Sequence, residues 1–337
     1  MNRCNKAGMA RKTITVVWLI ALALASFRLA DAQQQKKVPR IGYLVGGDPN
    51  FSAFQVEGFR RGLRDLGYLE GESIQVEYRY AEGKQDRIPS LVTELIQLKV
   101  DVLLLTTLPA IRAAKQATKT IPIVIVTAQD PVATGIVDSL AHPGGNITGL
   151  TRLTRELSGK RLELLQEVVP KISRVGVLWD VDDPGSAIAF KQYETAAQAL
   201  KIQLPSLEVR GPNPDLDGAF ETAAKGRANA LINIRSPMLI RYPKRIADLA
   251  IKRRLPSMCE GSDYIEAGCL MSYTSDDTEN FRRAAYYVDK ILKGTKPADL
   301  PVEQPTKFEF VINLKTAKQI GLAVPQSVLY RADRVVK

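Results

Sequence analysis

Thr106-Thr107-Leu108-Pro109 sets two hydroxyls and several free backbone amides at a helix start opened by proline, chemistry that suits a ligand carboxylate. The same hydroxyls are adequate helix caps, and both readings stand. Asp130, just before Pro131, ends an apolar run, where its carboxylate could pair with a ligand ammonium or simply form an Asp-Pro turn. Gly46-Gly47-Asp48-Pro49-Asn50 follows another apolar run, with Phe51 and Phe54 behind it as stacking walls or as core. In the second half of the chain Asp180, Asn233, Arg235, Ser236, Glu260 and Tyr264 fall after apolar runs in the same way. No base-and-nucleophile spacing appears among them, so the set reads as recognition without catalysis. A single histidine, His142, and three cysteines leave little material for metal clusters or a Ser/His/Asp triad, and neither metal nor cofactor is expected. The glycine-rich PGGNITG at 143–149 lacks the phosphate-loop spacing and precedes a strand, so it reads as a turn, with His142 in a surface loop.

These residues can meet only if strand ends carry them to one place. From Val38 short β-rich runs alternate with helical patterns: IGYLV at 41–45, a helix through Phe54, Phe59, Leu63 and Leu66, then SIQVEYRY at 73–80. A helix through Ile88, Leu91, Leu95 and Leu98, the strand VDVLLLT, a helix over Ala110–Thr118 and the strand IPIVIVT at 121–127 continue the pattern. After NITGLT at 146–151 and a helix through Leu157, Leu164, Leu165 and Val168, it begins again with RVGVLWD at 174–180. A helix through Ala189, Tyr193, Ala196 and Leu200, SLEVRG, a helix about Phe220, NALINI at 229–234, a helix at 241–254 and LPSM complete a second unit. Wholly apolar strands alternating with helices predict parallel sheets covered on both faces, with ligands beyond the carboxyl ends of the strands.

The tail adds strand, helix and strand: GCLMSY at 268–273, a helix with Phe281, Ala284, Val288 and Ile291 inward and Gly294 as its stop, and KFEFVINL. Two similar units with such an appendix imply that the chain crosses between them more than once, which suits a clamshell closing on a ligand.

Composition agrees with this picture. The 337 residues, 45% hydrophobic and 25% charged, are ordinary for about two globular domains. Of the +11 formal charge, +4 falls in residues 1–32 and the rest spreads along mixed-sign stretches such as Leu162–Glu167 and Arg241–Arg254, so nucleic acid is not an expected partner. Residues 1–32 carry a basic start, an apolar run and a small-x-small site at Ala30-Asp31-Ala32, the pattern of a secretory leader cleaved after Ala32. Cys4 precedes that run and is not placed to carry a lipid. Cys259 and Cys269 would then sit in an oxidising compartment, either paired or as two buried small hydrophobes.

Three long segments carry a resemblance: FRRGLRDLGYLEGESIQVEYRYAEG at 59–83, DPVATGIVDSLAHPGGNITGL at 130–150 and ADLPVEQPTKFEFVINLKTAKQIGLAVP at 298–325. They are similar, within a match over residues 38–335, to the ABC transporter substrate-binding protein family that includes tryptophan- and tyrosine-binding members. The resemblance implies an α/β type-I periplasmic-binding-protein fold: two Rossmann-like lobes with parallel sheets, joined by a hinge of three crossovers near Thr151, Tyr273 and Thr306. It implies a lobe of residues 33–150 plus 274–306 and a second of 151–273 plus 307–337. It further implies a periplasmic, non-enzymatic and monomeric carrier that delivers a small-molecule ligand, an amino acid or related carboxylate, to an ABC permease and its ATPase. Cleft contacts would map onto Gly47, Asp48, Phe51, Phe54, Thr106, Thr107, Pro109, Asp130, Pro131, Asn233, Arg235, Ser236, Glu260 and Tyr264. The sequence departs from the common pattern at Ile111-Arg112 and at Cys269, and Arg112 could bias the cleft toward an anion. A ligand-sensing receptor subunit is a second reading, and a periplasmic hydrolase using Asp180, Glu260 and Asp263 a third.

Overall fold

The computed structural model describes residues 38–50, 52–152, 157–261 and 263–337. The expected leader, Cys4, the tract 33–37 and Phe51 lie outside the described residues.

The first run of elements is β1 (Arg40–Val45), α1 (Ala53–Asp65), β2 (Gln75–Tyr80), α2 (Ile88–Gln97), β3 (Val102–Leu105), α3 (Leu108–Ala117), β4 (Ile123–Thr127) and β5 (Ile147–Thr151). The second is α4 (Leu157–Val168), β6 (Val175–Asp180), α5 (Pro184–Leu200), β7 (Ser206–Val209), α6 (Leu216–Lys225), β8 (Ala230–Asn233), α7 (Pro243–Lys252) and β9 (Ser257–Cys259). The chain closes with α8 (Asp263–Ala267), β10 (Met271–Ser275), α9 (Asp277–Leu292), β11 (Phe308–Asn313), α10 (Leu314–Ile320), α11 (Gln326–Leu329) and β12 (Arg334–Val336).

Among the described residues the strands form a five-stranded sheet in the order β2-β1-β3-β4-β5 and a seven-stranded sheet in the order β12-β11-β10-β9-β8-β6-β7. All pairings in the first are parallel. β3 and β4 are buried at every residue, which explains apolar runs without alternation: helices cover both faces. In the second sheet β10 and β11 pair antiparallel. The cause is the path of the chain. It leaves β10 at the carboxyl end, builds α9 against the first sheet and re-enters directly from that side, so β11 must run back the other way.

The chain passes from the first sheet to the second after Thr151, returns between Ser275 and Asp277, and crosses again between Glu303, which bridges Leu150 at the sheet edge, and Phe308. Helix α9, far from α1 in sequence, packs directly on it. A Cβ at Gly62 would lie 2.3 Å from the Arg282 carbonyl oxygen and one at Gly58 2.7 Å from that of Thr278, so only glycine permits this approach. Phe281, Ala284, Val288 and Ile291 of α9 are buried with Phe59 and Leu63 in the core beneath β1–β5. Gly294, at φ +97°, ends the helix as expected. Leu66 is exposed instead of inward, because α1 stops at Asp65 and Leu66 caps it.

Of the two alternatives for the cysteines, the structure has the disulfide Cys259–Cys269, which ties the end of β9 to the turn after α8. Arg112 lies exposed on α3 and takes no part in the cleft, and His142 is exposed in its loop.

Candidate functional site

The carboxyl ends of both sheets face a cavity of about 60 Å³, and a second of about 320 Å³ lies between residues 82–86 and Asp180, Asp182 and Arg241. Gly46, Gly47, Thr106, Thr107 and Gln129 line the smaller cavity from the first sheet, and Asp183, Arg235, Ser236 and Pro237 from the second. Val126, Leu108, Ile240 and Phe281 supply an apolar wall, and Arg152, the first residue past β5, enters from the crossing.

The first-sheet side is built from short polar groups and backbone. Pro109 sets the start of α3, and Thr107 caps it by accepting a hydrogen bond from the Ala110 amide at 3.4 Å. The Thr106 hydroxyl accepts from the Gly46 amide at 3.4 Å, which holds the β1 loop against the end of β3. A Cβ at Gly46 would fall 2.3 Å from the Thr107 methyl and 3.1 Å from Pro237 across the cleft, so glycine lets the two sides meet.

The second-sheet side is ionic. Arg235 follows β8, and its Nη1 donates to Asp263 and to the Glu260 carbonyl. The Arg235 guanidinium lies 5.3 Å from the Phe54 ring centre and 6.0 Å from that of Tyr264. Burial opposes its charge, yet Asp263 and Asp277 hold its pKa above the ordinary arginine value. Glu260 accepts from Arg161 Nη1 at 2.8 Å, from the Tyr193 hydroxyl at 2.7 Å and from the Arg235 amide at 3.2 Å. Arg161 is 1% exposed, and burial disfavours its charge, but Tyr193 and Glu260 keep it protonated. Ser236 donates to Asp180 Oδ2 at 3.1 Å and accepts from the Leu239 amide, bracing the loop after β8. Burial, and then the nearby Asp183, push the Asp180 carboxyl up to about 6. Arg152 Nη1 reaches both oxygens of Asp277 at 3.1 Å; burial alone would raise the Asp277 pKa, but Arg152 and Arg235 hold it low.

The predicted residues therefore divide. Gly47, Thr106, Thr107, Arg235 and Ser236 line the cavity. Asp130 does not: its Oδ1 accepts from the Val132 and Ala133 amides, and the Pro131 carbonyl accepts from those of Ile136 and Val137, so this segment is built as a turn. Asp48 makes an ion pair with Arg241 at 3.5 Å from the other side of the cleft, outside the cavity. Asn233 and Tyr264 are fully buried behind Arg235, and Glu260 touches only small recesses that it shares with Arg235. Phe54 reaches the site through its contact with Arg235.

Among the polar residues of the lining, sequence reasoning missed Gln55, Gln129, Arg152 and Asp183 as contacts. Asp183-Pro184 had the signal, since it repeats the cap-before-proline pattern of Thr107 and Pro109, and Asp183 Oδ2 does accept from the Ser186 amide and hydroxyl. Arg152 had none, because its place in the cleft follows from where the chain crosses.

The fold is a two-sheet α/β architecture with a cavity between facing strand ends. The family described as ABC transporter substrate binding protein matches residues 47–336, and the chain belongs to it. The tyrosine-binding protein of Clostridioides difficile strain R20291 is 24% identical over 266 residues, 79% of this chain and 76% of that protein. A conserved domain protein of Vibrio cholerae O1 biovar El Tor N16961 is 25% identical with a TM-score of 0.83, covering 89% of this chain and 100% of that one. An ABC domain from Streptococcus pneumoniae in complex with L-Trp is 23% identical with a TM-score of 0.77, covering 88% and 100%. The type-I periplasmic binding fold expected from the resemblance is thus the fold of this chain.

Proposed function

We propose that this substrate-binding protein is the solute-binding component of an ABC importer, working outside the cytoplasmic membrane and delivering a small organic ligand to a permease and its ATPase. The observation that carries the reading is the cavity itself: neutral groups from one sheet and Arg235 from the other face a common space, which Arg152 enters from the first crossing. The two lobes are residues 33–150 plus 274–306 and 151–273 plus 307–337, swinging about the crossings. A ligand that touches both lobes only when they are closed shifts the population toward closure, and the closed form is what a permease reads. Thr106, Thr107 and the loop 46–47 form the first-lobe face against which the ligand rests, while Arg235 and Ser236 form the closing face.

Binding without chemistry fits the side chains present. The carboxylates available to a hydrolase are engaged: Glu260 by Arg161 and Tyr193, Asp263 by Arg235, Asp180 by Ser236. The protein is monomeric in this reading, since a carrier docks through both lobes.

Protein refolded to strip bound solute, screened by thermal shift against amino acids, keto acids, aromatic carboxylates and short peptides, tests the reading. A true ligand at 100 times its Kd stabilises by about 2.7 kcal/mol, an easily seen rise in Tm. X-ray scattering should show the stripped protein contracting with that ligand. Stabilisation by none of these classes, together with unchanged dimensions, would remove the carrier reading.

A further inference from the structure

Two arginines line the cavity, and each keeps a buried donor that bonds to nothing: Nε of Arg152 and Nη2 of Arg235. The Arg235 side chain is only 8% exposed, and its remaining contacts use Nη1, so Nη2 is a desolvated cationic donor. Such a group costs free energy unless a ligand meets it. A third arginine, Arg161, borders the adjoining recess, shared with Arg152, Arg235 and Glu260.

Among the described residues, no unengaged carboxylate lines the cavity to match a cation. Asp183 is the acidic residue among its lining, and its carboxylate is already the cap of α5. Burial raises its pKa, so it holds a negative charge less readily than an ordinary aspartate. Asp130, which would have received an ammonium, is built into its own turn and lies off the cavity. Among the described residues, the one unmatched buried side-chain acceptor lining the space is Oε1 of Gln55, a neutral amide oxygen suited to a hydroxyl.

From this we infer that the ligand is a small organic acid without an α-ammonium group, its carboxylate held by Arg235 and Arg152 and a hydroxyl by Gln55. The inference rests on the carrier reading and adds the ligand's charge. An ammonium brought beside two guanidinium groups would face a neutral amide oxygen and an Asp183 carboxylate already engaged by Ser186, a poor electrostatic setting. The space between the arginines is small, about 60 Å³, which favours the shorter hydroxy acids over an aromatic one.

Matched pairs that exchange –OH for –NH3+ give the test: lactate against alanine, 2-hydroxyisovalerate against valine, malate against aspartate, phenyllactate against phenylalanine. Titration calorimetry on stripped protein at pH 7.5 should find one of the three short hydroxy acids bound at least tenfold tighter than its amino acid. Arg235→Gln and Arg152→Gln should each weaken it by about 10–100-fold, the range for a bond to a charged group, while Arg235→Lys recovers part of the loss. Circular dichroism and Tm of each variant separate lost binding from lost folding, and the 1:1 hydroxy-acid complex is the readout if one variant fails to fold. An amino acid binding as tightly as its hydroxy partner overturns the inference and leaves the carrier reading intact. So does binding of sulfate or phosphate with no organic acid, or preference for phenyllactate alone. Silence from every pair also overturns it, whereas the carrier reading falls only with the wider screen and the scattering result above.

Discussion

The two sides of the cleft are built on the same plan, loops at the carboxyl ends of a parallel sheet, yet they use different physics. The first-sheet side presents Gly46, Gly47, Thr106 and Thr107, held by weak local bonds and a helix cap. Across from it stands a buried ionic network of Arg161, Glu260, Arg235 and Asp263, strapped by the Cys259–Cys269 disulfide. A surface made of backbone groups needs no charge compensation and tolerates a lost side chain. Ionic surfaces under burial are different, because removing one partner strands the other. The second-sheet side should therefore be the mutation-sensitive side, and the first the forgiving one.

The sharpest way to break this contrast is Glu260→Ala. It leaves Arg161, 1% exposed, without its carboxylate, and urea unfolding should show a loss of about 3–5 kcal/mol. A loss below about 1 kcal/mol would mean that the network is not what supports the second side. Removing the disulfide by Cys259→Ser with Cys269→Ser should cost about 2–4 kcal/mol, and wild-type protein in dithiothreitol should fall to the same unfolding midpoint. On the other side Thr107→Ala removes one cap and should cost only about 1 kcal/mol.

The smallest effect concerns pH. Asp180 titrates near 6 when folded against roughly 3.9 when unfolded, so the folded state binds more protons between those values. Its contribution to stability is therefore present at low pH and is lost as pH rises from about 4 through 6. Asp180→Asn should flatten that part of the stability curve and add roughly 0.5–1 kcal/mol at pH 7.5, since the amide oxygen can still accept from Ser236. Unfolding midpoints from pH 4 to 8 for both proteins would show it, and parallel curves would remove the assignment.

Much of the fold was legible along the chain, for a physical reason. Strands buried on both faces, such as β3 and β4, have to be apolar throughout, and the helices that cover them have to carry apolar stripes. The cap before Pro109 announced a helix start as well. Short elements with a weak pattern, α8, α10, α11 and β12, were not, because at three to seven residues their stability comes from what they pack against.

The site divides along the same line. Placement of Thr106, Thr107, Gly47, Arg235 and Ser236 at strand ends follows from the alternation of strand and helix alone, since every strand of a parallel sheet delivers its carboxyl end to the same edge. Local chemistry likewise determined that Asp130 and Pro131 could turn the chain. Which of two roles each polar residue takes was decided by tertiary structure. Asp130 turned inward to its own amides, Glu260 was captured by Arg161 from 99 residues away, and Arg152 reached the cleft because the chain crosses there. Charge pairing depends on distance in space, which the order of residues leaves open until the two sheets face each other.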